Sequence, residues 1–313
     1  MSSEDLYLSN LSPKDKPWDS HRAVADQIQQ IYKGTEFHAV FKRMSTCGQS
    51  LFFALVSSDA GDLAFKLRKA WFCRSRNCST CQWRRSLKLK AKFFEALPKI
   101  QAAHPTARFI FLTLTVRNPP IEDLRFTLDR MNKAWTLLTK RKQFPALGWI
   151  KSVEVTKPEK EPGMCHPHFH ALLMVPPGYF GSAGGYLSKD KWIELWQKSL
   201  RVDYPPSINV RAVKPNNGND MTSAIQETIK YAVKPADLVE DAKWLLELTN
   251  QLHNTRAIAV GGVFKQYLSD DEPEDLVNIN DEPEPSEPVT DELLEFGWRQ
   301  QAKRYAYKKL HKG

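Results

Sequence analysis

At 313 residues, with 42% hydrophobic and 26% charged side chains, the chain has enough apolar material for one large or two modest domains, which excludes a disordered polymer. Its formal net charge is +9, but eleven of its 36 acids fall between Asp270 and Glu292, where there is no Lys or Arg; the rest of the chain sets 25 acids against 45 bases, a surplus of +20. Such a surplus points to nucleic acid, with no amphipathic anchor to suggest an anionic membrane. No apolar run nears the ~20 residues of a membrane span, and the N-terminus lacks the basic start of a signal peptide, so a cytoplasmic protein is expected.

Residues 1–36 are polar, interrupted by Pro13 and Pro17, and then place Val24, Ile28 and Ile31 at helical spacing, which predicts an arm or short helix. The next segment, 37–100, is basic and cysteine-rich. From Lys66 to Lys92 it holds ten Lys or Arg and no acid, interleaved with Trp71, Phe72 and Trp83. The protein has five cysteines, and an odd number in a reducing compartment argues against a disulfide framework. Cys73, Cys78 and Cys81 stand at metal-ligand spacing, and Cys47 is the available fourth ligand of a tetrahedral structural zinc site. Gly48 suits a tight turn that lets backbone amides approach the sulfur. Arg74, Arg76, Arg84 and Arg85 would offset the thiolate charge and offer contacts to DNA.

Arg108 to Val116, rich in β-branched and aromatic residues, predicts a central strand that Asn118-Pro119-Pro120 terminates. Leu124, Leu128, Met131, Trp135 and Leu138 recur at helical spacing, which predicts an amphipathic helix over 121–142. Trp149 to Thr156 reads as a second strand, and 165–174 as a third. Side chains alternate faces along a strand, so His168 and His170 point one way and Phe169 the other. Two imidazoles side by side on a rigid strand make half of a divalent-metal site, against the alternative of polar residues on a solvated face. His166 shares their parity but stands before Pro167, at the strand's start, and is left outside the ligand set. If the second and third strands pair as a hairpin, Glu154 faces the two histidines.

Further helices are expected over 187–200 and 240–253, and a strand over 208–213. Met221 to Val233 predicts a helix on which Glu227, Tyr231 and Lys234 share one face beside an apolar stripe of Ile225 and Ile229. By itself that face equally describes a routine exposed helix. Residues 269–290 carry four prolines, many acids and few large apolar groups, the composition of a disordered linker. The tail 291–313 regains periodicity with several Lys and Arg and reads as a basic helix on a tether. The expected organisation is therefore an arm (1–36), a cysteine-rich basic segment (37–100), a domain over 101–268, an acidic linker and a basic tail.

Three stretches, taken together and in this order, resemble the motifs of plasmid rolling-circle replication initiators, the Rep proteins of the HUH endonuclease superfamily. They are Phe111-Leu-Thr-Leu-Thr115, His166-Pro-His-Phe-His170-Ala-Leu-Leu173 and Glu227-Thr-Ile-Lys-Tyr231-Ala-Val-Lys234. The resemblance extends over about residues 40–268, taking in the cysteines and Gly261-Gly262-Val-Phe-Lys265. It implies that His168 and His170, with Glu154 as third ligand, hold a Mg2+ or Mn2+ ion. It implies Tyr231 as nucleophile and Glu227 as general base of a later hydrolysis, with Lys234 available to steady the phenolate or contact the phosphate. The product would be a 5′-phosphotyrosine and a free 3′-hydroxyl primer on origin DNA that is single-stranded at the nick. A host helicase and a DNA polymerase would be partners. The implied fold class is α+β, a mainly antiparallel sheet carrying the metal site with helices packed on it, plus the four-cysteine zinc segment. Competing readings are an HUH transposase or relaxase, a zinc metallohydrolase using an activated water, and a zinc-dependent DNA-binding regulator without catalysis.

Overall fold

Two antiparallel sheets organise the chain, and each belongs to its own unit. The computed structural model describes residues 6–57, 63–181, 185–214, 218–229, 235–268, 275–277 and 288–312. The first unit gathers residues 1–91, 238–242 and 272–313; the second holds 92–237 and 243–271.

The chain opens with α1 (Leu8–Leu11), α2 (Pro17–Ile31) and α3 (His38–Thr46). It continues through the antiparallel pair β1 (Ser50–Ser57) and β2 (Leu63–Ala70) into α4 (Ser79–Ala103). Next come β3 (Arg108–Thr115), α5 (Leu124–Thr139), β4 (Gly148–Thr156), β5 (His166–Val175), α6 (Lys189–Leu200) and β6 (Ile208–Val213). Then follow α7 (Gly218–Thr228), α8 (Pro235–Glu240), α9 (Ala242–Gln251) and β7 (Ile258–Gly262), and the chain closes with β8 (Pro288–Arg299) and β9 (Arg304–Lys312). The α+β class expected from the sequence is the class observed.

In the first unit the sheet order is β2-β1-β8-β9. Leu51 and Phe53 of β1, Leu67 of β2, Phe296 and Trp298 of β8 and Tyr305 of β9 form one buried apolar cluster with Trp18 of α2. Each such large side chain contributes on the order of 1.5–3 kcal/mol by leaving water. The N-terminal stretch, expected to be an arm or short helix, includes a fifteen-residue helix with Pro17 in its first turn and Trp18, Ala25 and Ile28 buried. Several of its polar residues are buried too. Arg22 pairs with Asp26 at 2.7 Å and donates to the carbonyls of Met44 and Cys47, while Asp26 accepts the indole N–H of Trp298 at 2.7 Å.

The C-terminal tail is corrected from a helix to a hairpin. Phe296 and Trp298 share one face of the strand at its two-residue period, and β8 pairs with β1 as well as with β9. Burial against β1, more than two hundred residues away in sequence, overrides the helical reading of a short Lys-rich segment. Within the acidic stretch, residues 269–274 and 278–287 lie outside the described residues, whereas Leu276 is buried at 2% exposure.

The second unit has the sheet order β6-β3-β5-β4-β7, with every pair antiparallel. Its two faces are distinct. On one, Phe169 of β5 packs between Trp135 of α5 and Trp196 of α6. The other carries His168, His170 and Glu154, and α7 lies beside it, with Glu227 near His170. The helix expected over 221–233 runs from Gly218 to Thr228, and residues 230–234 lie outside the described residues. Gly261 of β7 is required by close approach, because a Cβ there would stand 2.1 Å from the indole of Trp149 on β4. Gly262, at φ +59°, makes the turn that follows.

Candidate metal centres

Register decides the first cluster. β4 and β5 pair so that Glu154 stands directly opposite His168 and Ser152 opposite His170. Directly opposed residues on one face lie ~5 Å apart, so the glutamate reaches both rings. Its Oε2 is 2.9 Å from His168 Nε2 and 2.8 Å from His170 Nε2. All three residues are buried, with exposures of 2%, 8% and 4% for Glu154, His168 and His170.

The far side of each ring is held. His168 Nδ1 donates to the carbonyl of His166 at 3.1 Å, which puts the proton on Nδ1 and directs the Nε2 lone pair into the cluster. His170 Nδ1 faces the hydroxyl of Thr113 at 3.2 Å, and Phe111 stacks on the His170 ring with centroids 5.5 Å apart. Thr113 is the residue opposite His170 on β3. His166 sits apart from the cluster, as expected, with Nδ1 2.6 Å from Asn118 Oδ1, and burial lowers its pKa.

Two imidazole nitrogens and one carboxylate oxygen, all within 4.8 Å of one another, are donors suited to a divalent ion, and three protein ligands leave coordination positions for oxygens from outside the chain. Glu227 borders the cluster from α7, its Oε1 3.9 Å from His170 Nε2. The start of α7 is held by Asp220, which accepts from Arg211 of β6 at 2.9 Å and from the Lys214 amide at 2.6 Å. Those contacts lower the pKa of Asp220, the Lys214 amide most. Tyr231 and Lys234, the other two members of the expected helix face, lie outside the described residues.

The second cluster brings together all four expected cysteines, Cys47, Cys73, Cys78 and Cys81, each buried. The 26-residue gap between Cys47 and Cys73 is spanned by β1 and β2, whose antiparallel pairing returns the chain to its start; the Gly48 amide donates to the Trp71 carbonyl at 2.8 Å. Sulfur–sulfur distances are 3.5 Å for Cys47–Cys81, 3.6 Å for Cys73–Cys81 and 3.7 Å for Cys47–Cys78. A regular tetrahedron with Zn–S bonds of about 2.3 Å has edges of roughly 3.8 Å, so the sulfurs fit zinc closely. Gly48 adopts φ +60°, but the amide that reaches the Cys47 sulfur is that of Cys73, at 3.4 Å, and the Ser75 amide reaches the Cys73 sulfur at 3.4 Å. Hydrogen bonds from the Cys47, Cys73 and Cys81 thiols hold the Cys78 thiol well below the usual cysteine pKa. Cys165 takes no part. It is buried against the Pro119 carbonyl, and desolvation pushes its thiol up to about 12.

The four arginines expected to meet DNA are not equivalent. Arg84 is 7% exposed, donates to the carbonyls of Leu276 and Val277 at 2.8 and 2.9 Å, and covers the Trp18 ring, so its guanidinium belongs to the interior. Arg85 donates to the Arg74 carbonyl at 2.6 Å, holding the loop between Cys73 and Cys78. Arg76 is half-buried, and Arg74 is exposed on a backbone at φ +55°. Sequence reasoning missed Thr113, Phe111, Arg211 and Asp220. The alternation in Phe111-Leu-Thr113-Leu-Thr115 was the available signal for the first two, since it puts Phe111 and Thr113 on one face of β3.

Comparison with known proteins places the chain in a family. Residues 64–306 match the family described as Replication protein. The chain is 35% identical over 287 residues to "Protein rep" of Streptococcus pneumoniae, covering 88% of each chain. It is 36% identical over 285 residues to "Protein rep" of Lactiplantibacillus plantarum, covering 86% of this chain and 88% of the relative. It is 33% identical over 297 residues to "Protein rep" of Lentilactobacillus hilgardii, covering 90% and 92%. No solved structure matches the chain. A family match across most of the chain, with relatives of this identity and coverage, makes this chain a member of the Rep family of replication initiators.

Proposed function

We propose that the protein initiates rolling-circle replication of a plasmid by nicking its origin as an HUH-type endonuclease. The observation that carries the reading is the Glu154–His168–His170 cluster on one sheet face, with the Glu227 carboxylate 3.9 Å from His170, in a chain of the replication-protein family.

Tyr231 is the nucleophile. Its phenol has an ordinary pKa near ~10, so it reacts at neutral pH only where the phenolate is steadied, a role that falls to Lys234; the proton the phenol gives up ends on the departing 3′ oxygen. The Tyr231 Oη–phosphorus bond forms, the bond from phosphorus to the 3′ oxygen breaks, and that oxygen leaves as a 3′-hydroxyl. The 5′-phosphate remains on the tyrosine, so the phosphodiester's energy is kept and rejoining needs no ATP. A Mg2+ or Mn2+ ion held by Glu154, His168 and His170 would polarise the scissile phosphate and offset charge on its oxygens. In termination Tyr231 is already esterified, and Glu227 deprotonates a water for the second cut. The 3′-hydroxyl primes a host polymerase, and a host helicase unwinds the duplex ahead of it. Zinc in the four-cysteine cluster is structural, and exposed Arg74 contacts origin DNA.

The test is covalent capture. A labelled single-stranded origin oligonucleotide incubated with the protein and Mn2+ should become attached to it, and Tyr231→Phe should abolish attachment while leaving binding nearly unchanged. Normal nicking by the Phe variant would move the nucleophile elsewhere and overturn the reading.

A further inference from the structure

The first unit carries a groove of about 660 Å³ beside the cysteine cluster, and two segments with opposite charge line it. One side is the end of β2 and the loop beyond, including Trp71, half exposed, and Arg74, exposed. The same strand presents Arg68 and Lys69 to solvent, in the 66–92 stretch that holds ten bases and no acid. An exposed indole among cations is the surface a nucleic acid strand uses, with stacking on the ring and phosphates on the bases.

The other side of the groove is the protein's own acidic stretch, represented by Asp275, Leu276 and Val277. This contact is built. Leu276 is 2% exposed, and Val277 packs against the aromatic cluster of the sheet and borders a second groove with Trp18, Phe65 and Trp83. The buried Arg84 donates to both carbonyls at 2.8 and 2.9 Å, and Asp275 Oδ1 accepts the Val277 amide at 2.8 Å. A composition too polar to fold alone is therefore anchored at two apolar residues. The anchor carries five acids in the six residues 270–275 and four more within ten residues after Val277.

We propose that the acidic stretch is an intramolecular competitor of nucleic acid, seated by Leu276 and Val277 in the groove beside Trp71 and Arg74, so that a DNA strand entering this groove must displace it. The inference rests on the reading of the chain as a DNA-binding initiator. It gives the acidic stretch a function: it raises the threshold for binding arbitrary DNA, and only a sequence offering further contacts outcompetes the tethered carboxylates. A tethered competitor acts at the high effective concentration its short connection imposes.

The test uses the full-length protein and a labelled random-sequence single-stranded oligonucleotide, with binding read by fluorescence anisotropy at low and high salt. One variant neutralises the charge and keeps the anchor: Asp270→Asn, Asp271→Asn, Glu272→Gln, Glu274→Gln and Asp275→Asn. The second, Leu276→Ser, keeps the charge and loosens the anchor, with Val277→Asn in its place if that protein does not fold. Both should bind roughly tenfold more tightly than the parent near ~0.05 M salt, and the advantage should shrink toward ~0.5 M as charges are screened. Equal or weaker binding by the neutralised protein overturns the proposal, and so does tightening by that protein alone, which is a bulk charge effect. Failure of the parent and both variants to bind any DNA, origin DNA included, would instead remove the DNA-binding reading on which the inference stands.

Discussion

The two ligand clusters differ in closure, and the difference separates what holds the protein together from what acts. Cys47, Cys73, Cys78 and Cys81 are all buried and bring four sulfurs together at spacings that would complete the coordination of a tetrahedral metal ion. Glu154, His168 and His170 are equally buried but supply three ligand atoms, and their border is the partly exposed carboxylate of Glu227. A closed site has nothing left to offer a substrate, whereas an open one leaves positions that phosphate oxygens can take. The supports differ too. The cysteines rest on the end of α3, a loop and the start of α4, steadied by amides reaching the sulfurs; the histidines rest on a central strand, their ring orientations set by the His166 carbonyl and the Thr113 hydroxyl.

The largest effect should come from the closed cluster. Replacing Cys78 and Cys81 together by Ser should release zinc and abolish the cooperative unfolding of the first unit, since structural zinc sites are worth on the order of 10 kcal/mol of folding. Elemental analysis and thermal denaturation check it, and negligible zinc in the intact protein would remove the structural-zinc proposal. Replacing His170 by Ala should do the reverse, leaving the melting temperature close to that of the parent but eliminating metal-dependent nicking of the origin oligonucleotide. If that variant unfolds as readily as the cysteine variants, the two clusters do not differ as argued.

Glu227→Gln sharpens the contrast within the open site. The first nick should persist, while release in the terminating cut slows ~10²–10⁴-fold and a covalent protein–DNA product accumulates on a plasmid carrying two origins. Equal loss of both steps would make Glu227 a positioning residue. Thr113→Val, which removes only the hydroxyl at His170 Nδ1, should weaken the metal dependence of nicking by ~10–100-fold, read as a shift in the Mn2+ concentration needed for half-maximal rate.

The smallest effect on DNA chemistry is expected from Lys151, on the opposite face of the same sheet. Burial lowers its pKa to about 7, and its ammonium sits 2.8 Å from Asn132 Oδ1 and over the Phe169 ring. The unfolded chain holds this proton up to about 10.5, so between pH 7 and 10.5 the unfolded state binds more protons and stability rises with pH. Lys151→Met should therefore stabilise the protein most below pH 7, with the gain fading toward pH 10.5 and nicking unchanged. Denaturant unfolding across that range is the measurement.

Much of the open site was legible because its signals are local. Alternation along 165–174 is enough to put His168 and His170 on one face, and the two apolar runs around a polar loop predicted the pairing that sets Glu154 opposite them. Cys73, Cys78 and Cys81 were legible by spacing and their basic context, and Cys47 as the available fourth ligand. Arg84 was not: a basic residue in a basic run reads as a solvent-facing contact, and only the packed structure shows it covering Trp18 and holding Leu276 and Val277. For Thr113 the alternation of β3 showed its face but not its partner, since its role depends on β3 being the strand that flanks β5.

What the sequence by itself determined, then, is each segment's intrinsic pattern: strand periodicity, helical stripes, metal-ligand spacing and the segregation of charge. These follow from backbone geometry and side-chain chemistry within a few residues. What only the tertiary structure decided is partnership. The C-terminal residues became strands because β1 offered an edge with a buried apolar face, tying Ser50 to Glu295 across 245 residues. The 275–277 segment is held because Val277 lines a groove with Trp18, Phe65 and Trp83 and Arg84 donates to the carbonyls of Leu276 and Val277. Such pairings are settled by the free energy of burying a given face against one distant surface rather than another, a quantity that no local window of residues contains.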